Sequence, residues 1–467
     1  MLKIKNKIAG RKASINLLNF SLISALVLIV FLIAIKFIEF GSESGGSIYV
    51  YYNNFTIKPI VIFLFIFPYL VFFTYLSIKY IGKNEIQVLI LWLIIGFIIQ
   101  LIIRYDYLHS FEHLITSEEY TSFYTATYDH SVKELLSNYE SIADTLPKHA
   151  KSNMLGKVLF FYLLRVFTSS PKIMGLLIMI LSNIGGILIY FISKLLFNHK
   201  KIALYSLILY FFIPAKIFHF PVLNTVTPVF ALLPLFLMIK YLETLKKLYL
   251  IFLGISFYVL FIFEPLPFYT GILFLSIVIY YLYMKRIQIR HLIYLIGYTV
   301  VVTIMTFFIF LWIFKYNALN NFIYVVNDAI KFNVLTERKY DIWVVQNLKD
   351  FFINVGFLQS IIFFVFLSNI FYGIIAKIKR YNCFKKVVQF IFKPAILLTL
   401  SVFLIIFILD LVCVDRGEVS RVWIFIMVFF PIIVAHYCVK RKNSLAFYIV
   451  LLGSVLQSVV TMSMVWF

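Results

Sequence analysis

From Asn16 to Phe467 the chain repeats one pattern, in which apolar runs of about 15 to 24 residues alternate with polar gaps. A helix needs about 20 apolar residues to cross the hydrocarbon of a bilayer, and helices satisfy their own backbone groups where no water can. The pattern therefore predicts an all-α polytopic membrane protein, a single transmembrane domain over 1–467. About thirteen spans are expected, near 17–38, 59–81, 86–103, 172–195, 202–216, 228–242, 248–263, 267–284, 292–314, 351–376, 394–412, 422–438 and 445–465. The run at 156–170 is too short to span and is broken by Arg165, so an interfacial or re-entrant helix is expected there. Two gaps are longer than ordinary connectors, 104–171 and 315–350. The first is rich in aromatics, among them Tyr105, Phe111, Tyr120, Phe123, Tyr124 and Tyr139, which predicts packed helices at the membrane interface.

Charge then orients the pattern. Lys3, Lys5, Lys7, Arg11 and Lys12 place the N-terminus in the cytoplasm by the positive-inside bias. Together with every second gap after it, this end carries 25 of the 42 basic residues and only Glu85 and Glu243 among the 20 acids. The expectation is a multi-pass cell-membrane protein with both long loops and the C-terminus outside. The net charge of +22 thus favours anionic headgroups, and nucleic acid is not an expected partner. Cys383, Cys413 and Cys438 have neither metal-ligand spacing nor an obvious pairing. No glycine-rich nucleotide loop is present.

Candidate chemistry gathers at outer membrane ends. The third span runs into Arg104-Tyr105-Asp106, and Ser117-Glu118-Glu119-Tyr120 follows. A carboxylate held half out of water has its proton affinity raised and can serve as a general base. Asp106 is the best placed, and pairing with Arg104 is the structural alternative. His109, His113 and His130 with Glu112, Glu118, Glu119 or Asp129 leave a divalent cation open, without a recognised ligand spacing. The loop closes with Lys148, His149, Lys151 and Asn153 before an apolar helix, a pattern suited to an anion or to lysines snorkelling at the boundary. Much later, Asp415-Arg416-Gly417-Glu418-Val419-Ser420-Arg421-Val422-Trp423 places two arginines around a glutamate. Such a cluster is costly unless paired or presented to an anion. Arg421 suits a phosphate and Trp423 a sugar face; an interfacial ion cluster with an aromatic anchor is the alternative. Glu264, ahead of Pro265, is expected to act as a local cap.

These stretches resemble membrane glycosyltransferases of the GT-C type, which include protein O-mannosyltransferases and the transferases that modify lipid A. That family places an acid early in a large outer loop and often ends the loop with a His-x-x-Ser/Thr-like stretch leading into Tyr-Leu-Leu. His149, Ser152, Asn153, Gly156 and Tyr162-Leu163-Leu164 match, while Met154 and Leu155 stand where the family has two prolines. Ser117-Glu118-Glu119-Tyr120 is similar to an acidic element of some members, so the base can equally be Glu118 or Glu119. The Arg416-to-Trp423 stretch is similar to an element of uncharacterised relatives. The resemblance implies transfer of a sugar from a polyprenyl-phosphate-linked donor to a lipid, glycan or protein acceptor of the cell envelope. Arg416, Arg421, Lys148 and Lys151 would hold the departing phosphate. Its rivals are a transporter or flippase of a lipid-linked saccharide and a lipid-linked glycan polymerase or ligase.

Overall fold

The structure, a computed structural model, describes residues 2–105, 111–118, 122–381 and 384–465. Among them eleven helices are long and apolar enough to cross a membrane: Ala13–Ala34, Lys58–Tyr80, Glu85–Arg104, Pro171–Phe197, Leu223–Thr244, Leu266–Tyr283, Ile289–Phe314, Phe357–Lys379, Pro394–Val412, Ile424–Arg441 and Ser444–Met464. The protein is an all-α polytopic membrane protein. Its outermost helices expose their apolar side chains: only 11% of the most apolar stretch of Ile289–Phe314 is buried against protein, against 78% for Ile424–Arg441. An apolar belt of this kind is stable against lipid, not water.

Two further helices, Lys200–Phe211 and Leu248–Phe263, are shorter. The first lies at the centre of the bundle, with every residue from Ile202 to Phe211 buried. It breaks before Pro214, and the chain continues as a short helix, Pro214–Phe218. Irregular backbone at membrane depth is tolerated only inside protein, and the carbonyl freed at Phe211 accepts a hydrogen bond from Gln100 Nε2 at 2.7 Å. Gln100 also pairs with Asn183, whose Oδ1 accepts from the buried Lys216 Nζ at 2.6 Å. The rings of Tyr210, Phe211 and Phe220 surround that nitrogen. These buried polar side chains stabilise the broken helix.

Both long loops are helical. Between 111 and 170 lie Phe111–Thr116, Ala126–Asp129, Val132–Ser137, Tyr139–Ile142, Lys148–Lys151 and Gly156–Phe167. The last is about 18 Å long, well short of the hydrocarbon thickness. Its Arg165 turns back into the loop, donating to Thr127 and stacking 4.4 Å from the centre of the Tyr128 ring. The second loop forms Ala318–Leu335 and Tyr340–Asn354. The first helix begins at Leu2 and ends at Ala34, short of the expected boundary, and the chain then forms a hairpin of Phe40–Ser42 and Ser47–Tyr49. In register, Phe40 faces Tyr49 and Ser42 faces Ser47. Tertiary contacts hold this small hairpin: the Asp350 carboxylate accepts the Gly41 N–H at 3.1 Å, and the Trp343 indole donates to the Gly45 carbonyl at 2.8 Å.

Candidate functional site

At the loop end of the bundle three distant stretches converge. The Gly156–Phe167 helix starts against the end of Leu248–Phe263, where a Cβ on Gly156 would lie 2.3 Å from the Ile262 carbonyl oxygen. Only glycine permits that approach, and it brings the next residue to its partner. Lys157 Nζ donates to Glu264 Oε2 and to Asn153 Oδ1, both at 2.6 Å. Asn153 in turn donates to the His149 carbonyl at 2.9 Å, so the end of the long loop is tied to this lysine.

The third stretch is the turn from Asp415 to Trp423. Gly417 has φ +76°, a left-handed conformation, and its Cα faces the Trp343 ring and Ser47. Tyr49 clamps this turn, donating to the Gly417 carbonyl at 3.0 Å. Arg421 Nε donates to Glu418 Oε2 at 2.5 Å, and Arg338 reaches Glu418 Oε1 at 3.4 Å. Glu418 is thus shared by two guanidinium groups, one from each end of the sequence gap between the second loop and this turn. The Trp423 indole donates to Asp415 Oδ2 at 3.3 Å. His219, just after the broken helix, lies 3.2 Å from Ser420 Oγ.

The electrostatics follow from this crowding. Burial, then the charges of Glu264 and Glu418, push the Asp415 carboxyl up to about 7, against the opposing effects of the Trp423 hydrogen bond and Lys157. Burial also pushes Glu418 upward, but Arg421, Arg338 and His149 outweigh it and hold this carboxylate below its usual range. Burial, then the charges of Arg421 and Arg104, hold His219 neutral, down to about 3. Two neighbouring carboxyls therefore differ in proton affinity at neutral pH, a separation characteristic of acid–base sites. Arg104 is 4% exposed and donates through Nε to the Phe220 carbonyl, while its Nη1 has no hydrogen-bond partner among the described residues.

His149, Asn153, Glu418 and Arg421, named from the sequence, are brought together here. Others are placed differently. Lys151 pairs with Asp144 at 2.7 Å, whereas Lys148 lies over the Phe332 ring, which Arg338 also contacts, and so stays beside the cluster. The Arg416 guanidinium is spent on the carbonyls of Cys413 and Arg338, so it braces the turn. Trp423 is 1% exposed with its ring against Phe351, which removes it as a stacking face for sugar; its indole N–H positions Asp415. Glu118 is exposed at the surface. Asp106 and Glu119 lie outside the described residues. Glu264 caps the end of Leu248–Phe263 as expected, its N–H donating to the Leu260 carbonyl at 2.8 Å, and its half-buried carboxylate is also the partner of Lys157. The sequence offered no signal for Lys157 or Arg338 beyond their membership of the loops, and Asp415 was visible only as the first residue of its turn.

Among the described residues no group of three or more His, Cys, Asp or Glu is arranged to hold a metal ion. Compared with known protein families, with curated proteins and with solved structures, the chain matches none.

Proposed function

We propose that this chain is an integral-membrane glycosyltransferase of the GT-C type. It would transfer a sugar from a polyprenyl-phosphate-linked donor to a lipid, glycan or protein acceptor on the outer face of the cell membrane, its N-terminus being cytoplasmic. The observation that carries this reading is the meeting of Glu264, Asp415 and Glu418 with Lys157, Arg338 and Arg421 at one end of an apolar bundle, with Glu418 and Arg421 each about one quarter exposed. Counting Lys200–Phe218 and Leu248–Phe263 as passes brings the eleven long helices to thirteen, which puts the C-terminus on the same side as this cluster.

In this mechanism the acceptor oxygen attacks the anomeric carbon, and the bond from that carbon to the phosphate oxygen breaks with its electron pair on the phosphate. Arg421 and Arg338 supply charge-assisted hydrogen bonds to that oxygen as its charge grows. A carboxylate takes the acceptor proton. Asp415 has a proton affinity matched to neutral pH, and Asp106, Glu119 and Glu118 are its rivals from the long loop. A divalent cation at the donor phosphate is left to the assay.

One observation favours the transporter reading. The interrupted helix at 200–218, with Lys216 in its break, is a feature of discontinuous-helix transporters. Lys216 is, however, fully buried, so this reading ranks second.

The test is a purified Arg421→Ala sample on which melting temperature and affinity for a polyprenyl-phosphate hexose are both measured. Loss of one charge-assisted hydrogen bond weakens binding by roughly 1.5–3 kcal/mol, about 10- to 150-fold, with Arg421→Lys restoring part of it. A large fall in stability at unchanged affinity would refute the phosphate role.

A further inference from the structure

The opposite end of the bundle carries a cavity of about 510 Å³, between the ends of Pro171–Phe197, Pro394–Val412 and Phe430–Arg441 and the middle of Phe357–Tyr381. The Pro394–Val412 helix alone separates it from the Asp415 turn by about 28 Å, so it is no part of the site described above. Phe197, Phe366, Ile370 and Ile396 form its inner wall. The short helix Phe384–Ile391 closes one side, because Gly373 lets the Phe390 ring sit where a side chain would be, 2.6 Å from an ideal Cβ.

Its mouth is cationic. Lys393 and Lys440 line it, both exposed, and neither pairs with a carboxylate among the described residues. The two flanking segments, 376–393 and 439–444, hold nine Lys or Arg and no Asp or Glu. Glu85, an acid of the same end, is already engaged by Lys194 at 2.5 Å and Lys200 at 2.9 Å. His436 also lines the cavity. Its ring centre lies 4.9 Å from that of Phe197, the two planes tilted by 34°, and its buried Nδ1 has no hydrogen-bond partner among the described residues. Asn369 adds a second polar group to the wall.

An apolar wall below two unpaired ammonium groups fits an amphiphile with an anionic head, and nothing in the flanking segments neutralises those charges. We propose that this cavity binds the phosphate headgroup of an anionic membrane phospholipid, with Lys393 and Lys440 on the phosphate and the first chain carbons against Phe197, Phe366 and Ile370. The proposal is independent of the glycosyltransferase reading.

The experiment is a thermal-shift titration of the full-length protein in detergent with dioleoyl phosphatidylglycerol, dioleoyl phosphatidylcholine or inorganic phosphate. Phosphatidylglycerol should raise the melting temperature saturably, and neither of the others should. In Lys393→Gln/Lys440→Gln the half-saturating concentration should rise at least about tenfold, as expected for loss of two basic contacts. Lys83→Gln/Lys246→Gln removes the same charge from exposed positions at the same end and should titrate like the wild type. Because the readout is the shift each protein gains from lipid, it stands even if a variant starts less stable. An equal phosphatidylcholine shift, an unchanged titration in Lys393→Gln/Lys440→Gln, or an equal loss in Lys83→Gln/Lys246→Gln overturns the proposal. Saturation by inorganic phosphate alone overturns the assignment to lipid.

Discussion

Lys157 and Glu264 lie 107 positions apart and meet at 2.6 Å, with the lysine 2% and the glutamate 13% exposed. Removing one member of such a buried pair strands the other, a loss of about 3–5 kcal/mol. Lys157→Met is therefore expected to destabilise strongly, since it leaves Glu264 buried beside Asp415. Glu264→Gln should be milder, because Asn153 still accepts from Lys157. The double variant Lys157→Met/Glu264→Leu should recover much of the loss. Unfolding of the wild type, Lys157→Met, Glu264→Leu and the double variant in the same detergent checks this, and a double variant whose loss equals the sum of those two singles would show that the pair is not coupled.

The same pair depends on a residue with no side chain. Gly156→Ala would put its methyl 2.3 Å from the Ile262 carbonyl, so the helix start must retreat. We expect a loss of about 1–3 kcal/mol, as for overpacked sites, and a combined loss with Lys157→Met smaller than the sum of the two, because the retreat already weakens the ion pair. Full additivity of the two substitutions would separate the glycine from the pair.

Much of this was legible, and the gaps have physical causes. The long apolar runs gave the spans because a bilayer demands length and composition, both local properties. The broken helix at 200–218 was readable as one run because its break is sustained by Gln100 and Asn183 from other helices. The hairpin at 40–49 has strands of three residues, too short to show alternation, and rests on Asp350 and Trp343. Glu264 was legible as a cap, but its ion pair was not, because nothing near it in sequence names Lys157. Trp423 looked like a displayed aromatic because its sequence neighbours are charged, yet its ring is buried against Phe351.

Sidedness is a separate matter of charge. Ser141 in the long loop and Ser444 at the start of the last helix are both exposed. With Cys383, Cys413 and Cys438 replaced by serine, a cysteine at position 141 should react with a membrane-impermeant reagent on intact cells, and one at 444 should react only after permeabilisation. Reaction at 444 on intact cells would invert the topology and place the Asp415 cluster in the cytoplasm.

The last expectation concerns pH. Asp415 ionises near 7 when folded, against roughly 3.9 in an unfolded chain. The folded state thus holds this proton more tightly than the unfolded state. Stability contributed by the protonated carboxyl is fully present below about 4 and is lost as pH rises through about 7. Asp415→Asn fixes the neutral form, so its melting temperature should exceed that of the wild type by more at pH 8 than at pH 5. If Asp415 is the base, transfer by the wild type should rise with pH and level off above about 7, while the asparagine variant loses roughly 10²- to 10⁴-fold on that plateau and shows no such rise. The two measurements answer different questions. A stability difference that does not change between pH 5 and 8 would deny the raised proton affinity. Undiminished transfer in Asp415→Asn would instead move the base to the long loop, and Asp106→Asn, Glu119→Gln and Glu118→Gln are then the variants to assay.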